Sequence, residues 1–313
     1  MNRQRVEEIA NAVLYEGYLL YPYRASAVKN RQRWNFGILY PRAFAEAQRG
    51  ADRWNMQTEC LAAVSSRGAA IDITARFLHL MERSDGWQEA AECEVPIRDL
   101  SLADLAEGPV RHAFGYPASC ETDERFVRTR AAIEGALEVQ AEPLANRLLK
   151  IRVDVSNTTL FDDATGSSRD RALIQSFASA HTILELKGGE FISLLDPPDD
   201  YRDAAAQCRN LGTYPVLAGD EGQRDAMLSS PIILYDYPQI APESAGALFD
   251  GTEIDEILTL RIMTLSEEEK IEMSRVDDRA RQILERKEAM PPEQLMKMHG
   301  ALRGLRTAGE EAP

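Results

Sequence analysis

Between Trp54 and Leu194 the chain repeats one pattern: short apolar or alternating runs, separated by breaks that leave room only for tight connections. Residues 57–65, 69–82 and 87–97 each read as strands, and the breaks Ser66-Arg-Gly68 and Ser84-Asp-Gly86 are of hairpin length. Three such strands in succession predict an antiparallel meander. Residues 129–141 and 146–157 follow, joined across Glu142-Pro143, and in 148–155 the apolar residues alternate with Lys150, Arg152 and Asp154, so one face is solvated. Residues 178–186 and 190–194 flank Gly188-Gly189, a further hairpin signal. Between these runs, 100–107 reads as a short helix or turn and 161–171 as a flexible loop. A helix over 199–209 starts after Pro197-Pro198. Many short strands with few helices between them predict an α+β chain, mainly an antiparallel β-sandwich or open barrel, and argue against a doubly wound sheet.

Helical periodicity is confined to the two ends. Val6, Ile9, Ala10, Val13 and Leu14 share a stripe over residues 3–15. Near the other end Ser266-Glu-Glu-Glu269 is a capping-box pattern, and Met273, Val276, Ala280, Ile283 and Leu284 line one face up to about residue 287. Pro291-Pro292 starts another helix with Leu295, Met298, His299 and Leu302 on its stripe. The expected organisation is an N-terminal helix and aromatic, basic arm over 1–53, a β-sandwich-like domain over 54–263, a helical segment over 264–306 and a disordered tail over 307–313.

Two irregular stretches stand out from this frame. Residues 15–41 crowd aromatics and cations, including Tyr18, Tyr21, Tyr23, Arg24, Arg31, Arg33 and Trp34, into a segment broken by Pro22 and Pro41. Such side chains anchor protein–protein interfaces, and they also serve as half-buried cover for a core. The second stretch begins with the apolar run Pro231-Ile-Ile-Leu-Tyr235, read as a strand, and continues as a proline-punctuated loop with Asp236, Tyr237, Glu243, Asp250, Glu253, Asp255 and Glu256. Its carboxylates could supply oxygen ligands to calcium or magnesium, although Gly251 stands too early for an EF-hand. They equally suit a solvated loop before a helix N-terminus, or a docking loop for a basic surface.

The 313 residues carry 36 Lys and Arg against 51 Asp and Glu, a net charge of −15. That balance opposes nucleic acid and anionic membrane as partners. The four cysteines, Cys60, Cys93, Cys120 and Cys208, form no C-x-x-C pair and read as reduced, mostly buried thiols. No signal peptide and no apolar run of membrane-spanning length is present, so the expected location is cytoplasmic. Phosphate-binding, dinucleotide, zincin and nucleophile-elbow motifs are absent. Ser26-Ala-Val-Lys29 matches S-x-x-K without its companion motifs. His79, His112, His181 and His299 lie far apart, the second pair-member of no ligand motif, and His79 and His181 read as core residues. No cofactor is predicted beyond the calcium or magnesium option.

The passages 15–34, 229–244 and 249–258 resemble those of uncharacterised bacterial proteins encoded beside oxygen-tolerant, actinobacterial-type nickel–iron (NiFe) hydrogenases. The resemblance implies an accessory role in assembling or supporting such a hydrogenase and transfers no catalytic residue. The resulting expectation is a non-enzymatic docking factor that recognises hydrogenase subunits through 15–34 and 236–256. A metal-dependent enzyme or binding module using the acidic loop, and an oligomeric scaffold built by pairing the C-terminal helices into a homo-oligomer, are the alternatives.

Overall fold

The computed structural model describes residues 3–16, 37–66, 68–86, 88–123, 125–144, 147–162 and 164–239. The predicted C-terminal helices and most of the acidic loop lie outside them. The described elements run in the order α1 (Arg3–Glu16), α2 (Arg42–Ala47), β1 (Asn55–Val64), β2 (Ala70–Arg83), β3 (Gln88–Ser101), α3 (Leu102–Glu107), β4 (Val110–Tyr116), β5 (Ser119–Thr122), β6 (Val127–Arg130), β7 (Ile133–Pro143), β8 (Leu148–Asn157), α4 (Arg169–Leu173), β9 (Ala178–Lys187), β10 (Gly189–Ile192), α5 (Arg202–Ala205), β11 (Tyr214–Leu217) and β12 (Ala226–Ser230).

These strands form two antiparallel sheets packed as a sandwich that does not close into a barrel. One sheet has five strands in the order β10-β1-β8-β7-β4. The other has seven, with β11-β12-β9-β2 as its spine, β3 beside β2 and the β5–β6 hairpin attached at the far end of β2. The alternation seen in the sequence sets which side chains point inward. Ile151, Val153 and Val155 of β8 are buried, and so are Ile71, Ile73, Ala75 and Phe77 of β2. Phe77 and Phe177 stack with ring centroids 4.4 Å apart, and Phe114 of β4 packs on both. Each such side chain taken out of water contributes about 1.5–3 kcal/mol.

Strand β9 is buried on both faces because α1 covers its outer side. Val6, Ile9, Ala10, Val13 and Leu14, the stripe read from the sequence, are all nearly inaccessible to solvent, and α1 lies over β9, β12 and β2. Polar contacts fix its position: Ser179 Oγ donates to the Val13 carbonyl at 3.0 Å, Arg76 donates to Asn11 Oδ1 at 2.7 Å, and Arg5 pairs with Asp220 at 3.0 Å.

The sequence expectation fails in an instructive way at two hairpins. Strand β1 does not pair with β2, so the expected meander is only the β2–β3 hairpin; β1 instead pairs with β8 and β10 in the opposite sheet. Likewise β9 and β10 do not form a hairpin across Gly188. There the chain leaves the seven-stranded sheet, where Lys187 is paired with Ala70, and enters the five-stranded one, where Gly189 is paired with Val64. The two crossings run side by side and are tied together, since the Gly188 carbonyl accepts from Ser65 N at 2.9 Å and Ser65 Oγ at 2.9 Å. A short Gly-containing break marks a sharp turn but not whether the strands on either side stay in one sheet.

Smaller departures follow from local chemistry. The expected strand 129–141 is split into β6 and β7, and β4 and β5 carry too little apolar alternation to be seen in sequence. The segment 161–171 is less open than expected, because Phe161 is buried against Phe44 and its end starts α4, capped by Ser168. Residues 199–209 give only a single-turn 3-10 stretch and α5.

At the crossing, Gly188 has φ +75°, and a Cβ there would lie 3.3 Å from the Ala69 Cα. Gly86 has a similar φ of +82° with nothing within 4 Å. Gly188→Ala is therefore expected to lower unfolding stability by about 1–3 kcal/mol, more than Gly86→Ala, as read from urea denaturation midpoints of both variants. Equal effects would show that crowding at the corner contributes nothing.

Candidate functional site

The sequence placed a strand at Pro231–Tyr235; the structure places it one step earlier, on β12. Pro231 has no N–H to continue the ladder, and the pairing with β11 stops at Ser230 opposite Tyr214. Two serines disguised this strand. Ser229 is buried because its hydroxyl bonds Thr58 at 2.7 Å, from the facing sheet, and Thr213 at 2.6 Å, while Ser230 Oγ donates to the Ile232 carbonyl at 2.8 Å. Within the apolar run that suggested a strand, two side chains are turned to solvent: Ile233 is 74% exposed and Tyr235 87%.

Beyond Pro231 the chain doubles back along the open side of β11. Asp236 Oδ1 accepts the Leu217 N–H at 2.8 Å, and Tyr237 N donates to the Leu217 carbonyl at 2.7 Å. The second carboxylate oxygen, Oδ2, accepts from Ser193 Oγ at 2.5 Å, and Ser193 Oγ itself accepts from Leu195 N and Asp196 N. Asp236 thus clasps the start of the acidic loop to the ends of β10 and β11, one in each sheet. Tyr237 adopts a left-handed φ of +54° and lays its half-buried ring on the core. The segments along this edge expose Leu195, Leu211 and Tyr214 as well as Ile233 and Tyr235.

Of the recognition residues proposed from sequence, Asp236 and Tyr237 are therefore brought to one place and held there. Tyr18, Tyr21, Tyr23, Arg24, Arg31, Arg33, Trp34, Glu243, Asp250, Glu253 and Asp255 lie outside the described residues, as do Ser26 and Lys29. Among the described residues no group of three or more His, Cys, Asp or Glu side chains is arranged to hold a metal ion.

Sequence reasoning missed a second surface. The outer face of the five-stranded sheet forms the floor of a groove of about 650 Å³, walled by α2 and residues 158–162. Its floor is a set of ion pairs, Arg111 with Glu138 at 3.5 Å and Arg152 with Asp154 at 2.6 Å; its rim carries Leu160 and Trp54, the latter under the Arg42 guanidinium. The alternation around Arg152 and Asp154 marked a solvated face, but the residues that wall it come from distant parts of the chain.

Both described core histidines are sealed. His79 Nε2 bonds the Ile174 carbonyl at 3.1 Å and His181 Nδ1 the Ser179 carbonyl at 2.9 Å, leaving His79 Nδ1 and His181 Nε2 buried without a partner. Burial pushes both imidazoles down to about 4. Burial pushes the Cys93 and Cys208 thiols up to about 11 and raises Cys60 further, while Cys120 is exposed, an exception to the expected burial. The two imidazoles and the Cys60, Cys93 and Cys208 thiols are held in their neutral forms, and the expectation that His79 and His181 serve the core agrees with their contacts. No protein-family model matches the chain, and no curated protein matches it.

Two outcomes follow from this geometry. Asp236→Ala removes both acceptors of the clasp and is expected to destabilise by about 1–3 kcal/mol, with faster amide exchange at Leu217 than at Leu184 in the centre of β9; equal exchange at both would assign no local role to the clasp. For the histidines, the folded-state values lie below the ordinary 6.5, so the unfolded chain takes up protons first as pH falls. Their stabilisation is complete above about pH 6.5 and is lost on acidification toward pH 4. The urea midpoint is therefore expected to drop from pH 7.5 to pH 5, whereas an unchanged midpoint would mean the imidazoles are not sealed.

Proposed function

We propose that this chain is a cytoplasmic, non-enzymatic docking factor whose recognition surface is built at the edge where the acidic loop begins. The observation that carries the reading is the Asp236 clasp beside an exposed Tyr235: both carboxylate oxygens are spent on holding the loop base to the two sheets, while the neighbouring ring is turned to solvent. A rigid base with an outward aromatic is the arrangement that lets a side chain enter a partner's pocket with little ordering penalty. The carboxylates that follow in sequence add negative charge for a basic partner surface, which tunes encounter rate and selectivity. The resemblance of the flanking passages to proteins encoded beside NiFe hydrogenases makes hydrogenase subunits the partner to test first.

The test is co-purification of tagged chain with hydrogenase subunits from native cells. Tyr235→Ala combined with charge reversal at Asp250, Glu253 and Asp255 is expected to abolish recovery of the subunits and to leave the melting temperature nearly unchanged, because Tyr235 makes little contact with the rest of the chain. Undiminished recovery would reject the surface, and recovery of no hydrogenase subunit by the unaltered chain would reject the partner.

A further inference from the structure

The sandwich treats its strand edges unequally. The β11 edge is closed by Asp236 and Tyr237 at Leu217. On the five-stranded sheet, the β10 edge is engaged at Phe191, whose N–H donates to the Arg224 carbonyl, and the part of β1 beyond β10 is covered by residues 209–211 through Gln57 and Glu59. Strand β3 is interrupted by Pro96 and by a bulge with Asp99 at φ +55°, and carries Glu89, Glu92 and Glu94. Strand β5 is only four residues long. These are the usual devices against unwanted pairing.

Strand β4 has none of them. Its seven residues, Val110–Tyr116, include no proline, lysine or carboxylate. Among the described residues they pair with β7 alone, and no other backbone hydrogen bond engages them. Its one full charge, Arg111, is drawn back over the sheet by Glu138 on β7.

We propose that the free edge of β4 is the interface through which two copies of this chain associate, by antiparallel β4–β4 pairing centred on Ala113. The strand is self-complementary in that register. On the outer face Ala113 meets Ala113 and Arg111 meets Gly115; on the inner face His112 meets Phe114 and Val110 meets Tyr116, so like charges are nowhere opposite. Charge also matches across the joint. Glu134 is the β7 neighbour of Gly115, and its side chain leans over that glycine, its Cγ 3.8 Å from where a Cβ would stand. With no side chain at Gly115 in the way, Arg111 of the second copy has room to exchange its long 3.5 Å contact with its own Glu138 for Glu134 of the first on association. Registers centred on Arg111 bring two guanidinium groups together and are disfavoured. The pairing places both charged grooves on the same face of one continuous sheet, so that a long ligand could run across the joint.

The test is sedimentation velocity of the full chain over a range of concentrations. The unaltered chain is expected to shift from the 35.0 kDa of a single chain to twice that mass. Ala113 is exposed on β4, so Ala113→Lys and Ala113→Glu each place like charges opposite one another without disturbing the core. Each variant alone is expected to weaken association at least about tenfold, and an equimolar mixture of the two to restore it. A chain that stays single at all concentrations overturns the proposal. So does a dimer that Ala113→Lys leaves intact, which is then held elsewhere, or a mixture that fails to reassociate.

Discussion

Everything else in the described structure rests on the chain's changing sheets twice at one corner. After Ser65 it leaves the five-stranded sheet, at Gly188 it crosses into that sheet again, and the Gly188 carbonyl binds the two crossings together through Ser65. Because β1 and β2 lie in different layers, their inward faces oppose one another, and Met56, Cys60 and Ala62 meet Ile71, Ile73 and Phe77 across the core. Had β1 and β2 stayed in one sheet, as hairpin-length breaks suggest, those faces would share a side and need a separate cover. The corner turns a run of strands into a sandwich. It also places β10 and β11, each an edge strand, on the same side of the molecule, where one aspartate can bridge them.

What could be read in the sequence follows from what is local. The stripe of Val6, Ile9, Ala10, Val13 and Leu14 and the alternation in β8 are written in consecutive residues, and both predicted their buried faces. The choice of sheet is not local: Val64 pairs with Gly189 and Ala70 with Lys187, more than a hundred positions away. The strand β12 was hidden for a different reason. Its serines look like loop residues until Thr58 and Thr213 are seen to satisfy Ser229, and the Ile232 carbonyl to satisfy Ser230. Conversely Ile233 and Tyr235 belong to an apolar run that reads as a strand, and face solvent. Asp236 was singled out for its charge; its hydrogen bonds show a carboxylate that secures the backbone of an edge strand.

That secured edge and the open β4 edge lie at opposite ends of the design. On one side the backbone is engaged at Leu217 and side chains such as Tyr235 are left to make contacts, which suits recognition by surface complementarity. On the other, the side chains are small or drawn back and the backbone is left to pair, which suits addition of a strand. Between the two, the groove floored by Arg111, Glu138, Arg152 and Asp154 carries its charges already paired, so its net field is weak although its capacity for hydrogen bonds is high.

The central claim is that the loop base at the β11 edge is a rigid platform for another protein. Hydrogen–deuterium exchange of the chain with and without purified hydrogenase subunits tests it most directly. The account predicts that the free chain already protects Leu217 and that binding adds protection within 193–195, 211–214 and 231–239, leaving α1 and its face of the seven-stranded sheet unchanged. New protection confined to α1 and β3, with none along 231–239, would contradict it.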